Sequence, residues 1–151
     1  MLDKTKRLAP AIALLASLLV SLPVAQSQAN ANAKQMCKIR SGASRSYTRL
    51  PYSTPEYNKR YAYYVMATTY DWCGNQVKCI TRLWNNESGW RTNAHNPSGA
   101  HGVPQALPGN KMGKGWRSNP HVQINWGLKY IKVRYGNPCK ALSFWNSRRW
   151  Y

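Results

Sequence analysis

The sequence predicts a mainly α domain, and three observations carry that prediction. Three segments repeat apolar residues at spacings of three and four, with capping residues at their ends. No segment sustains the period-2 alternation of a half-buried strand. Four cysteines, Cys37, Cys73, Cys79 and Cys139, make an even count, which in an exported chain argues for two disulfides. At 151 residues there is room for one domain plus processing segments.

Residues 1–31 read as a leader. Lys4, Lys6 and Arg7 form a basic start, Leu8 to Val20 is apolar, Pro23 breaks the run, and small residues follow. That order predicts a secretory signal peptide cut between residues 25 and 33. An uncleaved membrane anchor is the alternative, but Pro10 and Pro23 interrupt a stretch already near the lower limit for a span. Residues 32–53, with Lys34, Lys38, Arg40, Arg45 and Arg49 among Ser, Gly and Thr, show no period. They are expected to be an irregular, solvated basic arm, tied down at Cys37 if that residue is oxidised.

The predicted domain spans 54–151. Thr54-Pro55-Glu56 opens its first helix, with Thr as N-cap, Pro in the first turn and an acid at the positive end of the dipole. Tyr57, Tyr61, Tyr64, Val65 and Thr68 then keep helical spacing to about Tyr70. The second helix runs from about Asn75 to Glu87 on the stripe Val77, Ile80, Leu83, Trp84, and Gly89 ends it. Residues 90–115 read as a loop with strong turn signals, long enough to imply a functional loop or short hidden helices. Asn119-Pro120 starts the third helix, with stripe Ile124, Leu128, Ile131, Tyr135, a Gly136 cap, and Pro138 blocking continuation. Residues 141–145 predict one short further helix.

The charge balance narrows the chemistry. The chain carries 22 basic and 4 acidic residues, a net +18. Loss of the leader leaves 19 basic against 3 acidic residues, +16. Such a charge favours polyanions in general, whether nucleic acid, anionic membranes or anionic wall polymers. It also leaves three carboxylate side chains for acid–base work: Glu56, Asp71 and Glu87. Glu56 serves the helix start, and Asp71 sits before Gly74, where a turn acid is ordinary. The cysteines form no CxxC pair and His95, His101 and His121 lack ligand spacing, so neither a metal site nor a cofactor is expected.

Glu87 is different. It lies three residues after Trp84, four after Leu83 and seven after Ile80, on the core-facing stripe and at the negative end of a helix dipole. Both features disfavour its charged form, as a general acid requires. A Glu hydrogen-bonded at a helix end, or turned to solvent, is the plain alternative. Seven Trp and ten Tyr against one Phe suit sugar rings, whose faces are apolar and whose edges are hydroxyls. Trp90 and Trp145 are the candidates to line a saccharide cleft, while Trp84 and Trp126 are assigned to the core.

The segment Trp84-Asn85-Asn86-Glu87-Ser88-Gly89-Trp90, followed by Asn96-Pro97-Ser98-Gly99-Ala100-His101-Gly102-Val103-Pro104-Gln105-Ala106-Leu107-Pro108, resembles the transglycosylase SLT, or lysozyme-like, family in its short secreted form. Gln123-Ile124, Trp126-Gly127-Leu128, Tyr130-Ile131 and Arg134-Tyr135-Gly136 continue the likeness, which covers about 57–151. Two departures stand out. Val103-Pro104-Gln105 replaces the hydrophobic-Met-Gln form, and the later Ala-Tyr-Asn motif is absent, so Tyr130 is only a stand-in for its tyrosine.

The resemblance implies a lysozyme-like fold with a cleft beside the catalytic helix. It makes Glu87 the single catalytic acid, has Ser88 support the helix end and places Gln105 in the sugar-binding cleft, where Tyr130 as a stand-in tyrosine and the aromatic candidates Trp90 and Trp145 join it. Spacing leaves three disulfide connectivities open; the resemblance implies Cys79–Cys139, leaving Cys37 with Cys73. The activity implied is lytic cleavage of the MurNAc–GlcNAc β-1,4 bond of peptidoglycan by a secreted, wall-located monomer that needs no cofactor. Anionic wall polymers are possible partners; specific nucleic acid and stable membrane association are not expected. The alternatives are a muramidase of the same fold, and a cationic wall-binding or antimicrobial protein without catalysis.

Overall fold

Helix-start chemistry dictates where the chain folds. In the computed structural model, which describes residues 45–151 together with 27, 28, 31 and 37, three of four α-helices begin at a proline preceded by a capping side chain. These helices are α1 (Pro55–Thr69), α2 (Asn75–Ser88), α3 (Pro120–Tyr135) and α4 (Pro138–Arg148), with 3₁₀ turns at Arg45–Arg49 and Gly109–Met112. Thr54 accepts from the Tyr57 N–H, Asn119 from His121 and Val122, and Asn137 from Lys140. Each cap satisfies backbone donors that the first helical turn leaves unpaired. The described residues contain isolated bridges at His95, His101 and Ala106 but no strand.

The chain separates into two compact units, Met1–Ala33 and Lys34–Tyr151, and α1 to α4 all lie in the second. Within the first, Ser27, Gln28 and Ala31 are helical. The rest of the leader predicted over 1–31 lies outside the described residues. Among the described residues no helix is long and apolar enough to cross a membrane.

The core gathers one face of every helix. Ile80, Leu83 and Trp84 of α2 meet Ile124, Leu128 and Ile131 of α3, all with no exposed surface, together with Met66 of α1 and Ala141 of α4. Full burial of each large aliphatic side chain contributes roughly 1.5–3 kcal/mol. Two disulfides close the domain, Cys79–Cys139 between α2 and α4 with Cα atoms 5.0 Å apart, and Cys37–Cys73 with 5.8 Å. That is the pairing the resemblance implied.

Three expectations are corrected. The buried face of α1 is Tyr57, Asn58, Tyr61, Ala62, Met66 and Ala67, while Thr68 is exposed and returns its hydroxyl to the Tyr64 carbonyl at 2.8 Å. The aromatic stripe therefore pointed to the right side of the first turn and drifted off it by the last. Pro138 does not merely stop α3: it is the first residue of α4, because Asn137 caps the helix it opens. The described end of the basic arm is not solvated throughout. Tyr47 packs edge-on against Tyr57 and Tyr61, with centroids 5.3 and 5.4 Å apart, and Leu50 joins the core.

Buried polar groups hold the long loop to the helices. Gln123 of α3 has no exposed surface; its amide oxygen accepts from Val103 N–H at 2.9 Å, and its nitrogen donates to Thr92 and Trp116 carbonyls at 2.9 and 2.7 Å. Gly102 lies directly over this amide with φ +77°, so a Cβ there would collide with Gln123. Gly127 is equally close to Pro104 and Trp84. Both glycines let backbone and side chain approach where any larger residue would push the loop away.

Candidate active site at the end of the second helix

Gly89 ends α2 in the left-handed conformation, and its N–H caps the Asn85 and Trp84 carbonyls. The last helical residue, Ser88, is 3 % exposed. Its hydroxyl donates to Val103 O at 2.8 Å and Trp84 O at 3.2 Å and accepts from Trp90 N–H at 3.0 Å. This knot joins the helix end to the 100–106 loop. Ser88 therefore supports the site from behind and is too buried to touch a ligand.

Glu87, one residue earlier, is half-buried and opens into a cavity of about 370 Å³. Gln105, Asn96, Leu107, Arg149 and Tyr151 are among its other walls, and Glu87 is the only side-chain carboxylate among the described residues lining it. Burial pushes the Glu87 carboxyl above the ordinary carboxylate range, while the indole N–H of Trp145, donated to Oε1 at 2.5 Å, pulls it partly back. Burial disfavours the charged form and a donor favours it; here burial wins. The direction is the one the sequence predicted, and the Trp145 bond is the restraint it did not reveal.

The other walls are held as firmly. The Gln105 backbone has φ +50°, a conformation that L-residues avoid. Its side-chain nitrogen donates to Gly102 O at 2.9 Å and Ala94 O at 3.2 Å, so the amide carbonyl is its remaining polar edge. The Tyr151 hydroxyl accepts from Trp84 Nε1–H at 2.7 Å and donates to Pro104 O at 2.9 Å. Burial, with the neighbouring Glu87 charge second, holds that phenol well above its ordinary range, so it stays neutral. The Arg149 guanidinium lies 5.2 Å from the centre of the Trp145 ring, on the wall of the same cavity.

A second cavity of about 140 Å³ shares Gln105, Leu107 and Tyr151 with the first and extends to Lys111, Trp126 and Tyr130. Trp126 and Tyr130 stack at 5.2 Å with their rings 7° from parallel. Two tryptophan assignments are thus exchanged. Trp90 has no exposed surface and packs edge-on against Trp84 at 5.1 Å, so it is core and touches no ligand. Trp126, assigned to the core, is partly exposed on the groove wall. Of the residues singled out in the sequence, Glu87, Gln105 and Tyr130 line the two cavities and Trp145 reaches the first through its bond to Glu87, whereas Ser88 and Trp90 are buried.

Tyr151 and Arg149 sit in no periodic stripe or motif, and Asn96 and Leu107, although inside the family-like segment, stand at turn signals that mark backbone rather than a cavity wall. Glu56 is paired with Lys59 at 3.9 Å at the start of α1, and exposed Asp71 follows the helix; neither lines the cavity. No three His, Cys, Asp or Glu side chains among the described residues converge where they could hold a metal ion. No protein-family model, curated protein or solved structure matches this chain.

Proposed function

We propose that the protein is a secreted lytic transglycosylase with a lysozyme-like cleft, cutting the MurNAc–GlcNAc β-1,4 bond of peptidoglycan with Glu87 as its single catalytic residue. The observation that carries the reading is one protonation-prone carboxyl, raised by burial, alone among the acids of its cavity. Two-carboxylate glycosidases need a second acid as nucleophile or to activate water. With one, the acid must serve twice. Glu87 protonates the bridging oxygen as the bond to muramyl C1 breaks. The carboxylate so formed takes the proton of the muramyl C6 hydroxyl as that oxygen closes onto C1. The products are a free GlcNAc hydroxyl and a 1,6-anhydro end, with Glu87 protonated again and no water consumed.

The rest of the groove fits a glycan strand. The aromatic surface that the Trp126–Tyr130 stack leaves on the cavity wall suits the apolar face of a sugar ring. Gln105 offers its carbonyl edge, and the Trp145 N–H stabilises the carboxylate between the two proton transfers. The two disulfides suit an oxidising compartment, in keeping with action at the wall.

The test is Glu87→Gln. It abolishes release of muropeptides from purified wall and leaves the fold and wall binding intact. Lysis retained by this variant would refute the assignment, and killing and binding that both persist would indicate a cationic wall-binding protein instead. Mass spectrometry of wild-type products decides the reaction: anhydro ends support transglycosylation, and reducing ends identify a muramidase.

A further inference from the structure

A separate cavity of about 300 Å³ lies between three stretches of chain and shares no lining residue with the Glu87 cavity. Ser53 comes from the segment before α1, Arg91, Thr92 and Asn93 from the loop after α2, and Arg117 and Ser118 from the approach to α3. Pro55 supplies an apolar part of the wall; the other lining residues are polar or cationic, and none is a carboxylate. Glu56, the acid nearest in sequence, is engaged with Lys59.

Both guanidinium groups are held in place. Arg91 donates its Nε–H to Ser88 O at 2.9 Å, a bond that leaves its two terminal NH₂ groups uncommitted. The Arg117 guanidinium lies over the Trp116 ring, 4.5 Å from its centre, a cation–π contact that restrains it beside the cavity. Thr92 is 5 % exposed, and its hydroxyl oxygen already accepts from Ser53 Oγ at 2.8 Å and Asn58 Nδ2 at 2.9 Å. Both lone pairs are therefore used, and its proton is free to donate to a guest. The cavity thus offers a guest the Thr92 hydroxyl proton and two restrained positive charges.

We propose that this cavity binds the phosphate group of an extended polyol-phosphate chain. Donors face the cavity from the loop after α2 and from the approach to α3, and two arginines, each able to make bidentate contacts, suit the several oxygens of a phosphate. The +18 net charge of the chain would draw in a repeating polyanion and hold it near the cavity. The proposal does not rest on the role given to Glu87, because the two cavities have different walls.

The test is calorimetric titration of the disulfide-bonded protein at 150 mM salt with a poly(glycerol phosphate) oligomer, with inorganic phosphate as competitor. Arg91→Ala with Arg117→Ala weakens binding about tenfold or more, the worth of charge-assisted hydrogen bonds. Removing two exposed helical cations, Lys129→Ala with Lys132→Ala, matches the charge loss and costs less than about threefold. Arg117→Lys keeps the charge and still weakens binding several-fold; it also covers the case in which loss of the Arg91–Ser88 bond disturbs folding. Equal losses in the two double variants, or an unaffected Arg117→Lys, would show diffuse charge and overturn the site. Poly-glutamate bound with the same dependence on the arginine pair overturns the phosphate assignment, and an oligonucleotide bound more tightly through that pair overturns the polyol-phosphate source.

Discussion

Trp145→Phe isolates the one contact that opposes the burial of Glu87. The substitution keeps a flat aromatic face beside the carboxyl, so burial persists, but removes the Nε1–H that donates to Oε1. That donor lowers the Glu87 pKa against the larger upward effect of burial, so its loss moves the carboxyl further up. A hydrogen bond to a charged group is worth roughly 1.5–3 kcal/mol. Because Glu87 is only half-buried, solvent screening reduces this to about 1 kcal/mol. If that loss is felt in full where carboxylate charge develops, kcat falls about fivefold.

The direct assay is a carbon-13 NMR titration of the Glu87 carboxyl in both proteins. The wild-type midpoint lies above the ordinary carboxylate range and the variant's lies higher still. The alkaline limb of the muropeptide-release profile moves the same way, since the acid must be protonated to act. KM changes little in comparison with kcat, unlike the outcome for a residue that only packs against sugar. A variant midpoint that falls or stays in place would refute the account of Glu87 electrostatics, whatever the reaction turns out to be.

Three further outcomes follow from the same physics. Ionising Glu87 in the folded state costs stability, and because its folded pKa is raised this cost is absent below the unfolded value and grows as pH rises through the folded one. Glu87→Gln therefore unfolds at higher temperature than wild type at pH 7, and calorimetric scans show the difference vanishing at pH 3. Gln123→Leu strands the Val103 N–H and the Thr92 and Trp116 carbonyls inside the protein. Each buried orphan costs about 1–3 kcal/mol, so urea unfolding shows a loss of several kcal/mol. Cys79→Ser with Cys139→Ser opens a loop whose ends are 60 residues apart, a change worth about 4 kcal/mol on the chain-entropy scale and read from denaturant midpoints.

Much of the fold was legible because its signals are local. Proline after a capping residue set the starts of α1 and α3, glycine set the ends of α2 and α3, and three- and four-residue spacing marked Ile80, Leu83, Ile124, Leu128 and Ile131 as core. Asn137-Pro138 carries the same cap-then-proline signal for α4, but Pro138 also ends α3, and the local sequence does not separate the two roles. Glu87 was legible for the same kind of reason: its place relative to Trp84 and Leu83 already disfavours charge.

The tryptophans show where local signals end. Trp90 and Trp126 are chemically identical, and nothing in their neighbours says which one is buried. Trp90 is drawn inward by the turn after Gly89, where the Ser88 hydroxyl holds its N–H, while Trp126 lies at the edge of the buried face of α3 beside Tyr130. The cavity walls depend still more on distant pairing. Tyr151 reaches the site by hydrogen bonds spanning 67 and 47 positions, and Trp145 meets Glu87 across 58. Sequence alone could therefore select the carboxyl and the direction of its pKa shift, which follow from one helix and its stripe. Which indole restrains it, which rings line the groove and which arginines share a cavity were decided by tertiary packing, because those contacts form only when separate helices and the long loop close on a common core.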